Sequence, residues 1–272
     1  MFPLGSDLSP AIGAQSDLRW AWKEVVEDYT QRAVTKPADK LLALAGITEQ
    51  SYRIWGGKYL AGLWEATLLE DLLWFKDYET IFPRPAKYRA PSWSWASVEG
   101  RIIAYTTGDS RLDSRFVDDI RTCDVVQCHV DLARDELPLG RVTAGILRIR
   151  CVMMKTGWLP DIEKPELFLN RPISVEGPFT SPNPVTFERV VIADAYPDSV
   201  EASTIEDVWA VPLRWSRKSR YAVGLLLTPT ENGVVDSYRR VGYFATNEGF
   251  EVGWFDDDDS PCLNFEREVV II

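Results

Sequence analysis

Cys123, Cys128 and His129 are the first residues along the chain whose types could do chemistry together, as ligands of a soft metal ion or as a thiol and the imidazole that deprotonates it. Their spacing argues against both. It fits neither a zinc ribbon nor a Cys-x-x-Cys pair, Cys151 and Cys262 stand far off in sequence, and strand neighbours such as Cys128 and His129 point to opposite faces. Small buried thiols and a satisfied strand histidine are the simpler expectation, and the chain is expected to fold and work without metal or cofactor. His129 is the only histidine, and no Gly-x-Ser-x-Gly elbow offers a serine nucleophile. The aspartates at 256–259 lack the alternating oxygens and turn glycine of a calcium loop and read as a solvated turn. Gly56 and Gly57 have no strand before them and no Gly-Lys-Ser or Gly-Lys-Thr after them, so they read as a linker rather than a phosphate cradle. The carboxylate pairs Asp118 with Asp119 and Glu206 with Asp207 are ordinary in so acidic a chain.

The 272 residues, 46% of them hydrophobic, suffice to bury a core without disulfides. A formal net charge of -11 disfavours nucleic acid and anionic membrane surfaces as partners, and no run of about 18 uncharged apolar residues occurs. The protein is expected to be cytoplasmic.

The elements that must position any site change character along the chain. Apolar residues recur at helical spacing from Leu18 through Trp22, Val25, Val26 and Tyr29, with Asp17 as a possible cap; a short second helix carries Leu41, Leu42 and Leu44 and ends at Gly46. A third helix is expected from Tyr59 to about Trp74, and Trp20, Trp22, Trp64 and Trp74 read as packing. After Pro85 the apolar runs become short and alternating. Strands are expected near 93–98, 101–106, 124–132, 144–154, 185–193, 208–213, 221–228, 238–246 and 268–272, and a long irregular excursion over 159–184. The fold class is therefore α+β: a helical N-terminal region (1–83) packed on a mainly antiparallel β-barrel or curved β-sandwich (84–272).

One segment has individual character: Tyr88-Arg89-Ala90-Pro91-Ser92-Trp93-Ser94-Trp95-Ala96-Ser97-Val98-Glu99-Gly100. Together with 39–47, 59–64, Gly224-Leu225-Leu226-Leu227, 238–244 and the apolar end 269–272, it resembles the region C-terminal to the HET domain in fungal heterokaryon-incompatibility proteins. The strand and Trp-Ile-Asp-type motifs of the HET domain itself do not occur, so the chain reads either as a cut fragment or as a natural short protein that kept only the C-terminal architecture, the second being the favoured expectation.

Two functions follow as expectations. In the first, the protein binds an apolar small molecule and acts as a cofactor-independent cyclase or pericyclase of fungal secondary metabolism, since holding a flexible chain in a reactive geometry needs shape and one or two donors rather than a nucleophile. The candidate ligand-binding residues are Trp93 and Trp95, taken to share a strand face, with Trp209, Tyr221, Tyr243 and Phe244 as walls inside the sheet and Arg89, Arg239 and Arg240 as donors. In the second, the protein is a recognition or regulatory module related to heterokaryon incompatibility, and its partner is another protein.

Overall fold

The computed structural model describes residues 12–76, 81–104, 119–159, 166–173, 186–216, 218–231, 233–246 and 266–272. The aspartate run at 256–259 lies outside them. Helix α1 (Ile12–Thr30) buries Trp22 and Val26, with Val25 and Tyr29 half-buried on the same face. Asp17 lies inside it rather than capping it. Helix α2 (Lys40–Trp55) follows a 3-10 turn opened by Pro37 and buries Leu41, Leu44 and Thr48. It does not end at Gly46, which stands exposed in mid-helix. The stop is Gly56, whose left-handed backbone (φ 64°) lets its N–H donate to the Tyr52 carbonyl at 2.8 Å.

The expected third helix is a correction. Strands β1 (Tyr59–Leu60) and β2 (Leu63–Trp64) form a hairpin, followed by a 3-10 turn and one turn of helix, α3 (Leu68–Asp71). Ala61 and Gly62 turn the hairpin with φ of 50° and 103°. Gly62 is required there twice over, because the Trp95 indole lies 2.7 Å from where a Cβ would stand. Spacing of three and four among Leu60, Leu63, Trp64 and Leu68 reflects burial within a hairpin and turn instead of one helix face. Strand β3 (Phe75–Lys76) then pairs with β4 (Ile102–Ile103).

The remaining strands are β5 (Asp119–Arg121), β6 (Cys123–Leu132), β7 (Val142–Val152), β8 (Met154–Leu159), β9 (Glu166–Ile173), β10 (Thr186–Pro197), β11 (Val208–Ser216), β12 (Tyr221–Pro229), β13 (Ser237–Ala245) and β14 (Glu266–Ile271). Six of them close into an antiparallel barrel in the order β10-β9-β8-β11-β12-β13, with β13 returning to β10. Closure pairs both sides of every strand in the ring. Strand β14 adds to β13 in parallel and carries β7 and β6 as an antiparallel flap, while β5 pairs with β11. The α+β class with a barrel is thus the architecture. The excursion expected over 159–184 is corrected in part, since β9 is a barrel strand within it.

Alternation sorts the side chains into two cores. Inside the barrel, Phe244, Leu226, Trp158, Leu167 and Ile192 pack with small residues such as Ala193, Ala210 and Ala222. A Cβ on Gly242 would come within 3.2 Å of both Leu226 and Trp158, so this interior is filled by side chains. Outside it, Leu225, Leu227, Tyr221 and Tyr243 belong to a larger core shared with the helices and with Leu147 and Ile149 of β7. A bulge opposite Leu226 and Leu227 leaves Val241 as the extra residue in β13, which puts Arg240 and Tyr243 outside and Phe244 inside.

The segment at 93–98 is not a strand. Ser94 donates its N–H to the Pro91 carbonyl at 3.0 Å, its side chain accepts from the Ala96 N–H at 3.0 Å, and Trp95–Ser97 is a 3-10 turn. Proline followed by serines at alternate positions supplies turn chemistry that outweighs the alternating tryptophans. Trp93 and Trp95 are both buried among helices, hairpin and barrel wall: the Trp95 indole donates to the Gly62 carbonyl at 2.9 Å, and the Trp93 carbonyl accepts from the Trp74 indole at 3.0 Å.

Candidate functional site

The residues expected to wall one cavity are distributed over the two sides of the barrel wall. Trp93, Trp95, Tyr221 and Tyr243 lie in the core outside the barrel, where Tyr243 stacks on Phe75 with ring centroids 5.0 Å apart. Trp209 is half-buried on that same outer side, between the cations of Lys155 and Arg267 at 5.9 and 5.8 Å. Phe244 alone points into the barrel.

The three arginines separate as well. Arg240 is fully buried: its guanidinium lies 3.5 Å over the Trp74 ring, donates to the Leu72 and Trp74 carbonyls, and pairs with Asp198. Burial pushes it down to about 10 against the opposing charge of Asp198, which still leaves it a cation. Arg84 joins the same carboxylate at 3.2 Å and donates to the Arg240 carbonyl at 2.8 Å. Arg89 is also buried, with Nε, Nη1 and Nη2 donating in turn to the Ala96 carbonyl, to Glu99 and to the Val98 carbonyl. These two hold the turn at 94–99 and the barrel wall in place. Arg239, one residue from Arg240, faces out.

Arg89 and Arg239 nevertheless border one cleft, the largest of the cavities described, with a volume of about 550 Å³. It lies between the irregular segment at 84–92 and the β6–β7 flap, and it reaches Thr230 and Arg239 at the end of the β12–β13 hairpin. Its apolar surface comes from Pro85, Ala90, Ala144, Ile146, Ile272 and the ring of Tyr88. The segment at 84–92 is seated by hydrogen bonds at both ends: Arg84 as described, and Ser92, whose N–H donates to the Ile272 carbonyl at 3.0 Å while its hydroxyl accepts from the Arg240 N–H at 2.9 Å. The segment can lie close to the flap because β7 has a glycine there. A Cβ on Gly145 would come within 2.4 Å of the Pro91 ring.

The polar groups of this cleft were legible only in part. Lys87 and Arg239 are exposed cations on its border, and neither makes an ion pair among the described residues. His129 and Asp131, two apart on β6, project from one face across from Ile146 and Ala144, with His129 Nε2 2.9 Å from Asp131 Oδ1. Cys128 faces the other way, into the core, where burial pushes its thiol up to about 12. Burial first and the charge of Asp131 second push the Tyr88 hydroxyl up to about 12 as well. The signal that would have found the pair was His-x-Asp on an expected strand.

Aromatic rings do gather around a cavity, but in the helical layer. Trp22, Trp55 and Trp64 stand nearly perpendicular to one another, with centroids 5.1–6.3 Å apart, and border a cavity of about 250 Å³ together with Lys23 and Asp71. Asp71 accepts from the Trp64 N–H at 3.1 Å and from the Thr67 hydroxyl at 2.9 Å; burial still holds its carboxyl up at about 6. Among the described residues no group of three or more metal-ligating side chains converges, and no helix is long and apolar enough to cross a membrane.

No family model, curated protein or solved structure matches this chain. The site therefore rests on its own residues.

Proposed function

We propose that the protein binds an amphipathic small molecule, an apolar skeleton carrying an anionic or carbonyl oxygen, in the cleft between 84–92 and the β6–β7 flap. The observation that carries this reading is the pairing of an apolar surface in about 550 Å³ with two cations, Lys87 and Arg239, that no carboxylate engages among the described residues. The volume lies in the range of small-molecule pockets, and a few polar groups at an apolar wall are how such pockets fix orientation. In a chain of net charge -11, a cationic border to a cleft favours an anion at that place rather than over the whole surface.

The cofactor-independent cyclisation expected for a cytoplasmic enzyme of fungal secondary metabolism extends this reading. The cleft would hold the chain in a folded geometry, and Lys87 or Arg239 would polarise a carbonyl. The filled barrel interior has no part in it. The kinship with the C-terminal region of heterokaryon-incompatibility proteins belongs to the same proposal and is carried by the sequence segments alone.

Titration calorimetry with decanoate and with decan-1-ol tests the binding reading. Decanoate is expected to bind tighter than the alcohol, and the Lys87→Ala/Arg239→Ala variant to lose about tenfold in affinity for the carboxylate while keeping its affinity for the alcohol. Failure of both probes to bind at millimolar concentration, or equal affinity of the variant for decanoate, would sink the proposal.

A further inference from the structure

We infer that His129 and Asp131 act as a general base on the ligand of this cleft, so that the chemistry is proton abstraction from carbon next to a carbonyl. The inference rests on the cleft being the ligand site. Three observations carry it. His129 is the only imidazole in the chain, and it borders the largest cavity described. A carboxylate can only accept, so the 2.9 Å contact with Asp131 places the proton of the neutral ring on Nε2 and leaves the lone pair on Nδ1. Asp131 also holds the ring at the cleft border, the relation of orienting acid to base that recurs in proton-transfer sites. Neither group is spent on the fold: both side chains are more than half exposed, and the core face of β6 is formed by Cys128, Val130 and Leu132.

The other charged groups at the cleft complete the step. The C–H bond next to the carbonyl breaks and its proton passes to His129 Nδ1. The electron pair moves onto the carbonyl oxygen as an enolate, whose charge Lys87 or Arg239 balances. The enolate then takes the proton back at carbon, or attacks a second carbonyl carbon of the same molecule. In the second case a C–C bond forms and the imidazolium protonates the resulting alkoxide. Atoms and electrons balance without oxidant or cofactor, and the product is an aldol-type ring. The ligand class is therefore an apolar keto acid, carrying a second ketone or aldehyde where the ring closes.

The probe is 4-oxodecanoate, which has an apolar tail, a ketone and a carboxylate. Binding is read by calorimetry, and deuterium uptake at the methylenes beside the ketone by NMR in heavy water. The wild-type protein is expected to exchange these protons about 100-fold faster than equimolar free imidazole. His129→Gln should bring exchange to the uncatalysed level with binding changed less than threefold, and Asp131→Asn should slow it by about tenfold. Binding without exchange, or exchange that survives His129→Gln, overturns the base and leaves the binding reading standing. Absence of binding overturns both.

Discussion

Arg240 and Asp198 face each other with no exposed side-chain surface, Nε to Oδ2 at 3.1 Å and Nη2 to Oδ1 at 3.3 Å. The pair fastens two neighbouring barrel strands to the helical layer. Arg240 comes from the outer face of β13, Asp198 follows β10 and returns its N–H to the Val241 carbonyl at 2.8 Å, and the guanidinium reaches the carbonyls of Leu72 and Trp74. Removing one partner strands a charge that water cannot reach. Asp198→Ala, which orphans Arg240 and half-buried Arg84 together, is expected to cost about 3–5 kcal/mol in urea denaturation. Arg240→Met combined with Asp198→Leu should cost less than Asp198→Ala alone, because no buried charge is left unpaired. A loss under about 1 kcal/mol for the single variant would put the pair in the class of exposed salt bridges.

Stability should rise between pH 7 and 8.5, and Lys40 should be a main cause. Burial, with the like charge of Arg89, pushes its ammonium from the ordinary 10.5 to about 7, although the Val98 carbonyl accepts from it at 2.6 Å and Glu99 lies 3.8 Å away. Between about 7 and 10.5 the unfolded chain holds this proton and the folded chain has released it, so unfolding takes up a proton and becomes harder as pH rises. Below pH 7 both states are protonated and the slope vanishes. Over 7 to 8.5 the contribution is on the order of 1–2 kcal/mol. The window stops short of the thiols, since Cys151, raised from 9.0 to about 12 by burial, acts in the opposite direction above pH 9. Asp71, raised from 3.8 to about 6, lowers stability as pH rises through that range. The wild-type rise minus that of Lys40→Met measures the lysine, and identical slopes would remove it from the account.

The β-rich part was legible because apolar and polar residues alternate in β6 and β7, and because turn residues bound the short apolar runs of the barrel strands β11–β13. Its inward face was not. The bulge at Val241 exchanges the faces of Tyr243 and Phe244, and a single inserted residue leaves no mark in a run as apolar as 241–245. The helical layer misled for a related reason: Leu60, Leu63, Trp64 and Leu68 are all buried, so spacing alone could not tell a hairpin from a helix. Among the site residues, Arg239 was found by its type, whereas Arg89 and Arg240 share that type and are consumed by carbonyls and carboxylates. His129 reads in the sequence as a satisfied strand residue. What placed it at the cleft is the long-range approach of 84–92 to the flap.

The aromatic residues first expected to contact ligand are expected instead to support the fold. Phe244→Ala removes a fully buried ring from the barrel interior and should cost about 3–5 kcal/mol, while Trp93→Ala and Tyr243→Ala should lower the Tm through the outer core. Decanoate affinity, measured at a temperature where each variant is folded, should stay within about twofold of wild type. A folded Trp93→Ala or Tyr243→Ala variant that loses binding would return the ligand to the outer core.

Gly145 offers the sharpest test of where the cleft wall comes from. Its missing Cβ would stand 2.4 Å from Pro91 Cγ, 3.1 Å from Val130 Cγ1 and 3.3 Å from the His129 carbonyl, so a methyl group there must move something. Strand β6 is fixed by its ladder to β7, whereas Pro91 belongs to an irregular segment held by individual hydrogen bonds of Arg84, Arg89 and Ser92 and by no strand ladder. The segment should give. Gly145→Ala is therefore expected to cost about 1–3 kcal/mol in stability and to displace Tyr88, Ala90 and Ser92 together, weakening decanoate binding by about tenfold or more. Gly46→Ala is the matched control, because open space surrounds the missing Cβ in the middle of α2. It should stabilise the protein by about 0.5–1 kcal/mol and leave binding untouched. If Gly145→Ala folds and binds decanoate like the wild type, the segment at 84–92 does not form the ligand's wall and the cleft loses its claim.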